Sequence, residues 1–359
     1  MNEREARQGK EEDRVELFAA ANSGRGFYSY YPQIFERQEI EKRYLIKGGP
    51  GTGKSSLLRM VAREAEKAGK EVEYYRCSSD PDSLDGLILN GRIALLDATA
   101  PHSEEPTLPG VRDEIVNLGD FWNAEALETK GAEVEAIASQ KGESYRKAYR
   151  FLSAAMEVEE INRSLTERRI LWDKMERAAA RVMRDQPSGT CFRATPCLVD
   201  GLTMKGAVRL KGYGAKAERV VAVEDFLGLG SVFLSFVIQE AKKKGLRICV
   251  SYQPLCPTLP CGVFLEETSC LFLLGWKGKE FQKRIHMKRF IAPEDARQIR
   301  GEYRRNKHLA AGLLQAATDS LAEAGRHHFE LERIYASCMD FEAEQRFFQT
   351  FCRRLLERL

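Results

Sequence analysis

The sequence predicts an α/β protein built twice over, each copy setting a parallel sheet between two helical layers and running on into a long helical arm. Three observations carry this reading. A glycine-rich turn, Lys47 to Ser56, sits between an apolar run and a helical pattern; the unit is echoed 176 residues later; and long amphipathic stretches follow both copies. At 359 residues the chain has room for two such domains. The boundaries read as a polar lead-in over 1–17, a first domain over 18–120, a helical arm over 121–190, a second domain over 191–290 and a C-terminal helical arm over 291–359.

Composition narrows the class. Hydrophobic residues make up 43% and charged residues 30%, which suits a globular protein with much helical surface. No run approaches the roughly 18 apolar residues that span a bilayer, and the charged start Met1-Asn2-Glu3-Arg4-Glu5 lacks the apolar segment of a secretory signal. A cytoplasmic location is the expectation. A net charge of +3 is too mild to indicate nucleic acid. The nine cysteines fit reduced thiols, and neither Cys191 with Cys197 nor Cys256 with Cys261 has the spacing of a zinc site.

In chain order, residues 1–15 read as a frayed lead-in or a short surface helix. Phe18 to Tyr31 is apolar and aromatic around a glycine turn, and its rings either stack on a ligand's base or pack the first layer of the domain. Arg43 to Lys47 is the first strand. Lys54 to Ala68 is the helix that it feeds, stopped by Gly69 in the position a helix C-cap prefers. Glu71 to Arg76 is a second strand, and Ser78 to Asp85 a turn-rich loop at its carboxyl end. Arg92 to Asp97 is an apolar strand closing in an aspartate. From Phe121 to Asp185 the pattern is helical, with self-packing as the default for this arm, and Pro187-Ser188-Gly189 breaks it.

The chemistry concentrates in the turn. Gly48, Gly53, Lys54 and Ser55 satisfy G-x-x-x-x-G-K-[ST] in strand–loop–helix context, the signature of a phosphate-binding loop (Walker A). The binding residues are Gly48, Gly49, Pro50, Gly51, Thr52, Gly53, Lys54, Ser55 and Ser56, a loop whose backbone N–H groups would cradle an anion at a helix N-terminus. Lys54 would reach the β- and γ-phosphates, with Ser55 and Asp97 holding Mg²⁺. The predicted fold is thus the three-layer αβα sheet of a P-loop NTPase, duplicated in tandem. Asp97 is followed by Ala98 rather than by a glutamate able to activate water, so slow hydrolysis is expected. Asp80 in the loop and His102 just past Asp97 are candidates to position that water. For His102 a structural turn role is equally open.

Shifting the chain by 176 residues lays Arg43–Gly69 over Arg219–Gly245 without a gap. Over the loop the second copy reads Glu224-Asp225-Phe226-Leu227-Gly228-Leu229-Gly230-Ser231. It lacks the lysine, sets two carboxylates where phosphate would approach, and has Leu273 in place of Asp97. A single live site follows, with the second half a structural or regulatory partner. The basic cluster Lys283, Arg284, Lys288 and Arg289 is either a solvated face or a source of an arginine finger for that site.

On Gly26-Phe27-Tyr28-Ser29, Lys47 to Ser55, Asp80 to Asp85 and Asp97 to His102, the chain resembles a family of uncharacterised bacterial tandem P-loop ATPases. The resemblance covers most of residues 18–120. It implies ATP as the ligand, surrounded by Asp80, Asp82, Asp97 and His102; the degenerate second loop departs from the family pattern. The leading expectation is an ATP-binding P-loop protein with slow Mg²⁺-dependent hydrolysis. A small-molecule or nucleotide kinase, using the Asp80 to Asp85 loop for an acceptor hydroxyl, is the alternative. A non-enzymatic nucleotide-gated scaffold or nucleic-acid-associated factor is the third. GTP has no support, because Asn306-Lys307 runs into His308-Leu309 rather than the guanine-reading motif. The partner and the oligomeric state stay open.

Overall fold

The computed structural model describes residues 14–275 and 281–359; the predicted polar lead-in lies, up to Asp13, outside the described residues. The first half runs β1 (Val15–Phe18), β2 (Ala20–Ser23), β3 (Gly26–Ser29), α1 (Tyr31–Phe35), β4 (Lys42–Lys47), α2 (Lys54–Lys67), β5 (Val72–Arg76), β6 (Leu84–Leu89), β7 (Ile93–Asp97) and β8 (Asp113–Asn117). Its arm follows as α3 (Ala124–Glu128), α4 (Gly131–Glu167) and α5 (Trp172–Met183). The second half repeats the series: β9 (Arg193–Cys197), β10 (Asp200–Thr203), β11 (Gly206–Arg209), β12 (Arg219–Val223), α6 (Leu229–Lys243), β13 (Arg247–Tyr252), β14 (Pro260–Leu265), β15 (Cys270–Leu274) and β16 (Lys283–Ile285). The arm α7 (Pro293–Ala336) and α8 (Phe341–Leu356) closes the chain.

The sheets have the same plan. The first is ordered β1-β5-β6-β7-β4-β8 and the second β9-β13-β14-β15-β12-β16. Even the ladder irregularity recurs, between Tyr75 and Arg76 in one and Ser251 and Tyr252 in the other. Beside each sheet lies a small hairpin, and the two hairpins share a turn. Ser23 Oγ accepts from Arg25 N (3.1 Å) and donates to Gly26 O (2.8 Å), while Thr203 Oγ1 accepts from Lys205 N (3.1 Å) and donates to Gly206 O (2.9 Å). The duplication therefore reaches back beyond Arg43 to the first described strand, which places Val15–Leu17 inside the first lobe rather than in a lead-in.

Two expectations are corrected. The sheets are mixed, because β6 and β14 run antiparallel to both their neighbours. Leu84–Leu89 is buried along its whole length, so it shows no period of two, and its start overlaps the turn-rich run Ser78 to Asp85. Nor is each sheet sandwiched between helical layers. Helices cover the outer faces, but the inner faces share one core, in which Leu45, Ile88 and Leu96 of the first sheet join Cys249, Phe264 and Leu271 of the second, with Tyr31, Ile34 and Phe35 of α1 among them. Of the two readings of the aromatic run, packing holds: Phe18, Tyr30 and Tyr31 lie in this core, with Phe27 and Tyr28 against it.

The arms also differ from self-packing units. Helices α4 and α7 lie antiparallel, tied by Lys130 Nζ to Ser337 Oγ (2.7 Å) at one end, and by Lys307 to Glu159 (2.8 Å) and Asn306 to Asn162 (3.1 Å) towards the other. Their tips are exchanged. From the first half, α5 sets Met175, Ala179 and Met183 into the outer core of the second lobe; from the second half, α8 sets Phe348, Phe351 and Leu355 against Leu57, Leu58 and Val61 of α2. Matching backbone bonds pin the two elbows, Asp340 N to Phe121 O (2.7 Å) and Leu171 N to Phe290 O (2.9 Å).

Candidate functional site

Strand β4 delivers the chain into the glycine-rich loop, where Gly51 and Gly53 hold φ of 68° and 75°, a left-handed region that favours glycine. Helix α2 starts at the next residue and buries Leu57, Leu58, Val61, Ala62 and Ala65, so packing fixes where the loop must end. Thr52 Oγ1 donates to Gly49 O (2.8 Å). Lys54 Nζ donates to Gly48 O (2.9 Å) and Gly49 O (2.7 Å) and stands 3.7 Å from Asp97 Oδ2. Asp97 ends β7, the strand beside β4, opposite Ile46. Burial raises its carboxyl above the ordinary range, and Asp85 adds to this against the pull of Lys54 and His102.

Thr99, which sequence reasoning did not single out, joins these parts. Its N–H donates to Asp97 Oδ1 (2.9 Å) and its hydroxyl to Gly48 O (3.0 Å). Ser55 Oγ accepts from Leu84 N at 3.1 Å, which ties α2 to the start of β6. The Ser55 hydroxyl and the Asp97 carboxylate are the hard oxygen donors that Mg²⁺ takes, and both lie on the loop side of the sheet. Among the described residues no group of three or more His, Cys, Asp and Glu side chains is arranged to hold a metal. Phosphate oxygens and water would have to complete the shell of such an ion.

The other two candidates have partners of their own. Asp80 Oδ1 lies 3.5 Å from Lys205 Nζ, and Asp82 pairs with the same lysine on the β10–β11 hairpin. His102 Nε2 is 3.2 Å from Asp85 Oδ2, both side chains being buried, and its ring stacks on Tyr31 at 4.4 Å with Phe27 edge-on at 5.2 Å. Burial disfavours a charge on His102, but Asp85, Asp97 and Glu104 outweigh it and raise the imidazole above its usual value.

Residues of the second half cover the loop, and sequence reasoning missed them. A Cβ on Gly49 would come 2.7 Å from the Tyr335 ring, one on Gly51 2.5 Å from Glu332 O, and one on Gly53 2.1 Å from Glu344 Oε1. Glu344 is 5% exposed, its Oε1 has no hydrogen-bond partner, and burial pushes its carboxyl up to about 7. Nothing local marks these positions, because only the exchange of the arms brings them to the loop.

The second lobe's loop is built alike and filled differently. Gly228 has φ of 76° and precedes α6 as Gly53 precedes α2, so the loop is one residue shorter than the ungapped offset implies, and Leu229 rather than Gly230 stands at the position of Lys54. Asp225 Oδ1 accepts from Gly230 N (3.3 Å). The anion-binding amides here hold the chain's own carboxylate. Glu224 is met by His286 Nδ1 at 2.9 Å and Arg284 at 3.7 Å. Lys288 lies over the Phe226 ring and Arg289 over Phe290. The basic cluster thus serves its own lobe, and the arginine-finger expectation is corrected: the second half reaches the first loop through α7 and α8 instead.

The chain matches no family model, and neither a curated protein nor a solved structure is significantly similar to it. Among the described residues no helix is long and apolar enough to cross a membrane.

Proposed function

We propose that the chain is an ATP-binding protein of the P-loop type that hydrolyses ATP slowly, with Mg²⁺, at the loop of the first lobe, and that the second lobe is structural or regulatory. The observation that carries this reading is the contrast between two loops of one design. In the second, Asp225 occupies the amides; in the first, Lys54 is folded back on Gly48 O and Gly49 O with Asp97 behind it. The resemblance to tandem P-loop ATPases supports the same reading.

The loop amides and Lys54 would stabilise charge on the β- and γ-phosphates, the ammonium exchanging two carbonyl oxygens for phosphate oxygens. Ser55 and Asp97 would hold Mg²⁺, which supplies neutralisation of the phosphate charge. Water would then attack the γ-phosphorus, the bond to the bridging oxygen would break, and ADP would leave with that electron pair. Asp80 and His102 engage Lys205 and Asp85, so neither is assigned to the water. Calorimetry with Mg²⁺ and ATP should give one site per chain, and Lys54→Ala should abolish both binding and phosphate release while leaving the circular dichroism spectrum intact. Two sites per chain, or binding that survives Lys54→Ala, would overturn the proposal. Phosphate transfer that requires an added hydroxyl acceptor would move it to a kinase.

A further inference from the structure

The inner face of α4 is a row of contacts to the first lobe. Met156 packs against Gly24, Tyr149 OH donates to Asn22 Oδ1 (3.0 Å), and Tyr145 OH shares a hydrogen bond with Ser79 Oγ (2.8 Å). The row climbs towards the N-terminus of α4, two turns from Met156 to Tyr149 and one more to Tyr145. Lys141, four residues before Tyr145, is therefore its next member. By the register of Lys130 with Ser337 and Glu159 with Lys307, Glu332 of the antiparallel α7 lies further towards the N-terminus of α4, and its carbonyl oxygen rests on Gly51 of the loop. Lys141 is half-buried, and among the described residues its ammonium has neither a hydrogen bond nor an ion pair. Glu332 is engaged by His328 at 3.4 Å.

Two lysines thus share one small region. Burial lowers Lys141 below the usual lysine range, the charge of Lys54 lowers it further, and Glu332 offsets this only in part. Bringing two ammonium groups together without an anion is unfavourable, and a polyphosphate between them would reverse the sign of the interaction.

Resting on the ATP reading above, we propose that Lys141 is a second cation of that site, contributed by the arm rather than by the sheet, and that it binds the terminal phosphate of a nucleoside triphosphate. Lys54 reaches the phosphates from the loop, and Lys141 meets the outermost one from the opposite side. A diphosphate lacks the group that Lys141 would contact. The arm then discriminates triphosphate from diphosphate, so that hydrolysis breaks a contact between α4 and the first lobe's ligand.

The test compares ATP with ADP, each with Mg²⁺, by calorimetry on the full chain, and follows phosphate release. Lys141→Ala should weaken ATP about ten-fold or more, the range of one hydrogen bond to a charged group, and should leave ADP within about two-fold. Lys141→Arg should retain the preference for ATP, and neither variant should lose its melting transition. Equal losses for ATP and ADP, or no loss for either, would overturn the role of Lys141. Lys54→Ala serves as the control: if ATP and ADP still bind to it, the nucleotide reading itself has failed, independently of Lys141.

Discussion

Arg43 shows how much chemistry one buried residue can fix. Its side chain has no solvent exposure, and it meets Asp113 through Nε (2.7 Å) and Nη2 (3.0 Å) and Glu36 through Nη1 (2.6 Å). Asp113 also accepts from Thr107 N (2.6 Å), Leu108 N (2.8 Å) and Arg112 Nε (3.0 Å). Burial alone would raise the Asp113 carboxyl, but these donors hold it far below the carboxylate range. Removing one partner strands the other, so Asp113→Ala should cost about 3–5 kcal/mol, measured by urea unfolding. His102 behaves in the opposite sense. Its value is raised in the folded state, so its stabilisation is complete below the ordinary histidine range and is lost as pH rises through the folded value. Unfolding free energy should fall as pH rises from the ordinary histidine range through the raised folded value, and Asp85→Asn should flatten that fall. The loop itself was legible residue by residue, because its glycines and lysine serve local backbone geometry. The partners of Asp80 and His102 were not, because Lys205 and Asp85 reach them only through the hairpin contact and the return of β6.

Among elements, α8 was legible as a helix and not as a part of the first lobe. Asp340 Oδ1 accepts from Ala343 N (2.9 Å), an ordinary N-cap, and Phe348, Phe351 and Leu355 form one apolar stripe. A stripe says that a face is buried but not against what. Here it is buried on α2, with Phe351 edge-on to Tyr44 at 5.1 Å. Phe351→Ala should therefore destabilise by about 3–5 kcal/mol, and the same change should loosen the loop that α8 helps to cover. Urea unfolding reads the first effect and hydrogen exchange across Gly48–Ser56 the second. Strand β6 was missed for the converse reason: a strand buried on both faces carries no alternation, and its turn-rich start disguised it.

For the whole molecule, the offset of 176 residues announced a repeat, and the exchange of arm tips between the repeats was invisible to it, because each arm's pattern is satisfied equally by its own lobe or the other. The exchange makes each half incomplete alone, since α5 lies on the second lobe and α8 on the first. A chain cut at Gly189 should yield two fragments that associate into one particle when made together, and that aggregate when made apart. Size-exclusion chromatography distinguishes these outcomes. The carboxylate of Asp225 has a consequence for energetics. A loop that carries its own anion has a stability that does not vary with ligand concentration, whereas a loop that waits for one gains about 2.7 kcal/mol when ligand reaches about 100 times its dissociation constant. On the proposed function the two lobes form a differential pair, one whose stability follows ligand concentration and one whose stability is constant.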